Sequence, residues 1–232
     1  MEIVQEKTGN IPERNVTLDM IAGMEVSKRA LEVALAGTHP IVFLYNSSSC
    51  AADLVKAGRR IAANHGLVFH ALAYPVCPCG NYGNKTKECR CRPASISRHL
   101  AKLGKRKHEF DLWMDACQVR PVSVSEPNGE SETVMAERVM AARRNAEVIG
   151  KPDQASQELL EAWQKHIGQA CNLECILRTA RTIARLEGSG KKLHAYHIAE
   201  AIQYQAQSLS WLWDFIKPQA IELKTQGNEG RR

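Results

Sequence analysis

Two closely spaced cysteine pairs, Cys77-Pro78-Cys79 and Cys89-Arg90-Cys91, flank a nine-residue stretch that contains Gly80 and Gly83. Four thiolates converging at about 2.3 Å from one Zn²⁺ form a closed tetrahedral site. The glycines allow the intervening chain to fold back and bring the second pair to the first. Arg90 and Arg92, beside the second pair, favour thiolate over thiol. A structural zinc held by Cys77, Cys79, Cys89 and Cys91 is therefore expected, against the alternative of a reduced cysteine-rich loop without metal. Cys-x-x-Cys is the commoner spacing for such a site. Cys50, Cys117, Cys171 and Cys175 are scattered and read as small buried hydrophobes, although Cys171 and Cys175 stand one helical turn apart. His65 and His70 read as exposed or satisfied imidazoles rather than ligands.

A second place where chemistry could reside follows the apolar run Pro40–Tyr45, which reads as a buried strand. Asn46, Ser47, Ser48, Ser49, Cys50, Ala51 and Ala52 lead from it into a helical stretch, the junction at which a phosphate-binding loop sits. Such a loop needs glycines so that backbone N–H groups can approach the phosphates, a Lys for the β/γ oxygens and a hydroxyl for magnesium. No glycine stands between Tyr45 and Lys56, and Ala51 and Ala52 occupy the places of the Lys and the hydroxyl. Taken alone, the segment is an ordinary polar turn.

Its flanks resemble the magnesium-chelatase-like AAA+ ATPases, in particular the bacterial competence ComM group. The blocks are Asp19-Met20-Ile21-Ala22-Gly23, Ser27-Lys28-Arg29-Ala30-Leu31-Glu32-Val33-Ala34 with Gly37-Thr38-His39, and Cys77-Pro78-Cys79-Gly80 with Glu88-Cys89-Arg90-Cys91. Leu177-Arg178-Thr179-Ala180-Arg181-Thr182-Ile183-Ala184-Arg185-Leu186-Glu187-Gly188 and His197-Ile198-Ala199-Glu200-Ala201-Ile202-Gln203-Tyr204 look like the family's C-terminal helical lid. The resemblance runs in family order from about Asp19 to Gln205. It implies an α/β fold: a truncated AAA+ P-loop-type core with a short parallel sheet, plus an all-α lid domain.

Where the chain departs from the family pattern, catalysis is put in doubt. Pro75 stands at the place of the γ-phosphate-sensing Asn, Glu109 at that of the arginine finger, and Cys171 at that of the sensor-2 Arg. The acidic strand that ends in Asp-Glu has no counterpart, since only Asp53–Gly66 separates the loop from the next apolar run, Leu67–Tyr74. Phosphoryl transfer depends on positioned positive charge and magnesium, and one arginine finger is worth about 10³–10⁵ in rate. No catalytic residue is assigned, ATP and magnesium are not expected as cofactors, and the chain reads as a pseudo-ATPase.

At 232 residues, 44% hydrophobic and 24% charged, the composition is that of a globular protein. The longest apolar runs fall far short of the roughly 20 residues needed to span a bilayer. Met1–Lys7 lacks the basic and apolar regions of a signal peptide, so a cytoplasmic protein without membrane association is expected. In that compartment paired cysteines point to metal before disulfide.

Periodicity divides the chain into residues 1–125, the remnant core with its zinc-type insertion at 77–91, residues 126–216, the helical lid, and a polar tail at 217–232 expected to be disordered. Met24–Ala36 reads as a helix with Val26, Ala30, Val33 and Ala34 on one face. Strand 40–45, helix 50–64 and strand 67–74 make a βαβ unit, Pro93 opens a helix of about ten residues, and a strand near Gln118–Val124 closes the part. Ser123–Ser131 reads as a turn and hinge. The second part is helical, with apolar stripes at Met135, Val139, Ala142, Ala146 and Ile149, at Leu173, Ile176, Leu177, Ala180, Ile183 and Ala184, and at Ala195, Ile198, Ala199, Ile202, Ala206 and Leu209. Trp211, Trp213 and Phe215 read as a cover for the lid or a contact patch.

Between Lys85 and Lys107 there are nine Lys or Arg against Glu88 alone. Lys102, Lys105, Arg106 and Lys107 are the candidate contacts to nucleic acid phosphates, and Arg178, Arg181 and Arg185 add a further basic stripe. The alternative is solvated charge or contact with an acidic face of another subunit. No aromatic interleaving supports base stacking. The favoured reading is a non-catalytic interaction or regulatory protein that binds zinc and docks on an intact AAA+ relative, as a hetero-oligomer, or on DNA. The other readings are an ATP-binding motor subunit, of DNA-remodelling, helicase or chelatase type, in a mixed ring, and a decaying remnant without a role.

Overall fold

A computed structural model of the chain describes residues 16–21, 23–117, 129–145, 150–168, 172–189 and 191–212. The strand expected near Gln118–Val124, most of the hinge, Ala146, Ile149, Cys171, Trp213, Phe215 and the tail from Lys217 lie outside these residues.

The order is α1 (Glu25–Gly37), β1 (Ile41–Tyr45), α2 (Ala51–His65), β2 (Ala71–Pro75), α3 (Pro93–Gly104), β3 (Leu112–Asp115), α4 (Glu132–Arg144), α5 (Gln154–Ile167), α6 (Leu173–Leu186) and α7 (Ala195–Gln203). The three strands form one parallel sheet in the order β2-β1-β3, with Ile41 opposite both Ala71 and Leu112. β1 is central and therefore apolar without alternation, as a strand covered on both faces must be. Ile41 and Phe43 join α1, α2, α4, α6 and α7 in one buried cluster, while Val42 and Leu44 join Val76, Cys77, Ile96, Leu100, Leu103 and Trp113 in a second, under α3. The helices after residue 129 bury Met135, Val139, Ile176, Ile183 and Ile198 in the same cluster as Leu31 and Phe43.

Three expectations change. β2 starts at Ala71 rather than Leu67, because β1, its partner strand among the described residues, begins at Ile41 after Pro40, which has no N–H to pair. β3 occupies Leu112–Asp115, a segment not read as a strand. Val26 is 60% exposed; α1 is instead buried over Ser27, Lys28 and Ala30–Leu35, because α2, α4 and α6 pack around it and leave the first turn open. Trp211 packs on the second cluster, against the α3 face of the sheet.

Side chains cap the later helices, Ser131 accepting from Val134 N at 3.3 Å, Asp153 from Ser156 N at 2.9 Å and Asn172 from Cys175 N at 3.1 Å. Each satisfies an N–H that its helix leaves open. Pro93 opens α3 as expected.

A buried imidazole ties the sheet to α6. His39 Nδ1 lies 3.1 Å from Asp111 Oδ2 and Nε2 lies 2.9 Å from Thr182 Oγ1, while Arg178 donates to the same Asp111 oxygen at 2.6 Å. The Thr-His-Asp order resembles a nucleophile relay, but His39 and Thr182 are buried and the hydroxyl also donates to Arg178 O, so it serves as a strut. The ring passes against Gly37, where an added Cβ would sit 2.5 Å from Thr182 Oγ1. Gly37→Ala should destabilise the protein by about 1–3 kcal/mol in urea denaturation, the usual cost of overpacking. A change below about 0.5 kcal/mol, the size of a surface substitution, would show that the strut is dispensable.

Candidate metal centre

The C-terminal ends of β1 and β2 lie side by side, Tyr45 opposite Pro75, and the cysteine stretch leaves the sheet there. Val76 N donates to Tyr45 O at 2.9 Å, so the strand pairing extends to the residue before Cys77. α3 is held over the same point: His99 Nε2 lies 2.8 Å from Pro75 O, Tyr74 OH donates to His99 O at 2.8 Å, and the two rings stack at 4.6 Å. Cys77 is buried among Val42, Leu44, Ile96 and Leu100, with Cys89 and Cys91 packed against that cluster.

The four thiols converge. All four Sγ atoms lie within 4.8 Å of one another, with Cys77–Cys79 at 3.4 Å and Cys89 at 3.6 Å from both. A tetrahedron with 2.3 Å arms has edges of about 3.8 Å, so the sulfurs are spaced to accept zinc with little movement. None is in a disulfide. The chain turns back at Gly80, whose N donates to Cys77 O at 2.9 Å and whose φ is +75°, and again at Gly83 with φ +73°. Tyr82 N donates to Cys77 Sγ at 3.3 Å, the kind of bond that steadies a ligating thiolate.

These surroundings separate the thiols electrically. The Asn81 backbone N–H, aided by the Cys77, Cys91 and Cys89 thiols, brings Cys79 down to about 6. Burial, with Cys77 and Cys79 adding to it, pushes Cys89 up to about 12, and the bond with Cys79 raises Cys91. Cys79 thus forms the first thiolate, and it disfavours further charge until a cation is present. Cys50, Cys117 and Cys175 stand apart, each raised by burial and then by a nearby carboxylate; Cys175 is buried as expected, whereas Cys50 and Cys117 are half-buried. His65 and His70 are exposed and outside the cluster.

The loop after β1 is joined to this centre. Ser47 N donates to Gly80 O at 2.6 Å, Ser47 Oγ donates to Asn81 Oδ1 at 2.5 Å, and Asn84 Nδ2 donates to Ser47 Oγ at 2.7 Å. Asn46, only 1% exposed, donates to Cys117 O at 3.2 Å and accepts from both the N and Oγ of Ser48, at 3.1 and 2.6 Å. Ser49 N donates to Asn46 O at 2.9 Å, and Ser49 Oγ accepts from Ala51 N at 3.1 Å. The N–H groups of Ser47, Ser48, Ser49 and Ala51 are therefore spent inside the protein.

The basic residues do not gather into one patch. Arg90 and Arg92 lie before α3, whereas Lys102, Lys105, Arg106 and Lys107 lie at its other end, about 18 Å away for twelve helical residues. Arg106 is paired with Glu109 at 2.7 Å, and its carboxylate falls below its usual range through that bond. Among the described residues no helix is long and apolar enough to cross a membrane. No protein-family model matches the chain, and no curated protein matches it.

The purified protein should carry one zinc per chain by elemental analysis under reducing, metal-replete conditions. Cys79→Ser or Cys89→Ser should lower that value, and Cys50→Ser should leave it unchanged. Chelation should lower Tm by about 10 °C, from roughly 4 kcal/mol of linkage at thousandfold saturation and about 2–4 °C per kcal/mol for a chain of this size. Because Cys89 and Cys91 hold their protons in the metal-free state, binding must displace them, so affinity should rise with pH. Zinc well below one per chain would remove the assignment.

Proposed function

We propose that this chain is a shortened relative of the magnesium-chelatase-like AAA+ ATPases that has given up nucleotide chemistry and acts as a zinc-stapled, non-catalytic interaction protein. The observation that carries this is the use made of the β1–α2 loop. Where a nucleotide-binding relative would offer backbone N–H groups to phosphate, four of them are bonded within the protein and Ser47 anchors the cysteine stretch. Glu109, at the arginine-finger position of the resemblance, is exposed and held by Arg106.

The relationship itself draws support from the way its sequence blocks meet. His39 contacts Thr182, and Arg29 reaches Glu187 and Glu200, which joins the Ser27–His39 block to the Leu177–Gly188 and His197–Tyr204 blocks. Residues that carry the resemblance meet in the fold, whereas the positions at which nucleotide contacts would stand depart from the family pattern. The zinc centre in this reading is structural: four protein thiolates close the coordination sphere, leaving no open position for water or substrate.

The partner in this reading is a protein, an intact AAA+ subunit, in preference to DNA. The separation of the basic residues along α3 and the pairing of Arg106 both weaken a continuous phosphate footprint. Calorimetry should show no magnesium-dependent ATP binding by the isolated protein, and a saturable titration at micromolar affinity would overturn the proposal. A complex with the host's intact AAA+ subunit should change little between 50 and 200 mM salt, whereas DNA binding across six phosphates would weaken about 10³-fold. Binding that follows the steep salt course and vanishes in Lys105→Ala/Arg106→Ala/Lys107→Ala would assign the chain to DNA instead.

A further inference from the structure

Away from the zinc centre, at the opposite end of β1, a cavity of about 450 Å³ opens between the end of α1, the last turn of α4 and one face of α6. Four arginines line it, Arg143 from α4 and Arg178, Arg181 and Arg185 from α6, with no carboxylate among the described lining residues. Arg143 Nη1 donates to Leu35 O, Ala36 O and Thr38 Oγ1, at 3.1, 3.2 and 3.0 Å. That covers two of the carbonyls whose partial negative charge at the end of α1 would repel an anion, and it leaves the rest of the guanidinium available. Arg178 is paired with Asp111, which His39 shares. Arg181 has no hydrogen-bonding or ionic partner among the described residues, and Arg185 Nε is shut off from water with no hydrogen-bond partner among them either.

Like charges around a concavity repel one another, and a buried N–H left unbonded costs the desolvation of that group. The repulsion is relieved by one kind of occupant, an anion rich in acceptor oxygens, whereas the Arg185 Nε, closed to water, is out of that occupant's reach. Guanidinium forks match phosphate oxygens in pairs. The cavity is in the size range of small-molecule sites, and among the described residues no aromatic side chain lines it to stack a base.

We propose that this cavity binds the phosphate group of a small phosphorylated ligand, independently of magnesium and of the zinc centre. The test is calorimetric titration of the zinc-loaded full chain, in magnesium-free buffer at fixed ionic strength, with orthophosphate, pyrophosphate, AMP and a single-stranded DNA 12-mer. Saturable sub-millimolar pyrophosphate binding is expected. Arg181→Gln should weaken it about tenfold or more, as loss of one charge-assisted bond implies, and Arg185→Gln should do the same. Because Arg185 is partly buried, far-ultraviolet circular dichroism must show both variants folded, and Arg181→Gln alone suffices if Arg185→Gln is not. Lys105→Gln/Arg106→Gln should bind as wild type does. AMP binding tighter than orthophosphate would identify a nucleotide source, and equal affinity a free phosphate source. Absence of saturation, or equal affinity in wild type and Arg181→Gln, overturns the site. Tighter Arg181-dependent binding of the 12-mer than of pyrophosphate overturns the small-ligand assignment in favour of nucleic acid.

Discussion

Glu32 is 3% exposed in the middle of α1, and its carboxylate must be matched where it lies, because an unpaired buried charge costs several kcal/mol. Arg29 from the same helix reaches it at 2.9 Å and Arg138 from α4 at 2.5 Å. Neither arginine stops there. Arg138 also pairs with Glu130, and Arg29 with Glu187 and Glu200 at 3.1 and 2.9 Å. Burial works against the charge on Arg29, but the Glu200 and Glu32 carboxylates outweigh it and hold its pKa above the ordinary value. Tyr204 OH donates to Glu200 at 2.8 Å, and Tyr204 O accepts from Trp113 N at 2.8 Å. One buried charge thus fixes α4, the end of α6 and α7 around α1, and through Tyr204 it reaches the open edge of β3.

With α1 fixed, the sheet has little freedom. His39 follows α1 after one residue and is gripped by Thr182 and Asp111, so β1 starts at a set height beside α6. The strands then deliver Asn46 and Val76 together at the far end. Two chemically separate ends result. The C-terminal edge of the sheet gathers thiols, and the N-terminal edge, with α1, α4 and α6, gathers guanidiniums. Nothing in either cluster is needed to close the other.

How much of this can be read from sequence depends on whether a feature is local. The strand 41–45, helix α2 and helix α3 follow from unbroken periodicity, and the cysteine convergence from two close pairs and two glycines. β3 escapes notice because it is four residues long and follows Asp111, whose carboxylate belongs to the interior only once His39 and Arg178 are brought to it. α5 has a stripe of its own, Leu159, Leu160 and Trp163 packed in or against the main cluster, although the stripes named from sequence do not include it. Arg178, Arg181 and Arg185 read as a basic stripe, but the cavity they line needs Arg143, more than thirty residues earlier, and the end of α1. The role of Asn46 is equally invisible, since its partner is the carbonyl of Cys117 across the sheet.

The two ends of β1 also differ in how the chain treats negative charge. At the start of α2 the helix dipole favours an anion, the reason phosphate loops precede helices. Here the preceding loop is bonded through Ser47 to a stretch that, with zinc bound by four thiolates, carries a net charge of about −2. With zinc in place, the positive end of α2 would lie behind a loop attached to an anionic centre. At the opposite end, α1 presents carbonyls, the unfavourable pole for an anion, and Arg143 is spent on covering them before the remaining arginines can attract anything. With zinc bound, the four-thiolate cluster would satisfy the first end. The second, with four arginines around one cavity and no carboxylate among the described lining residues, keeps a surplus of positive charge that an anion from outside would offset.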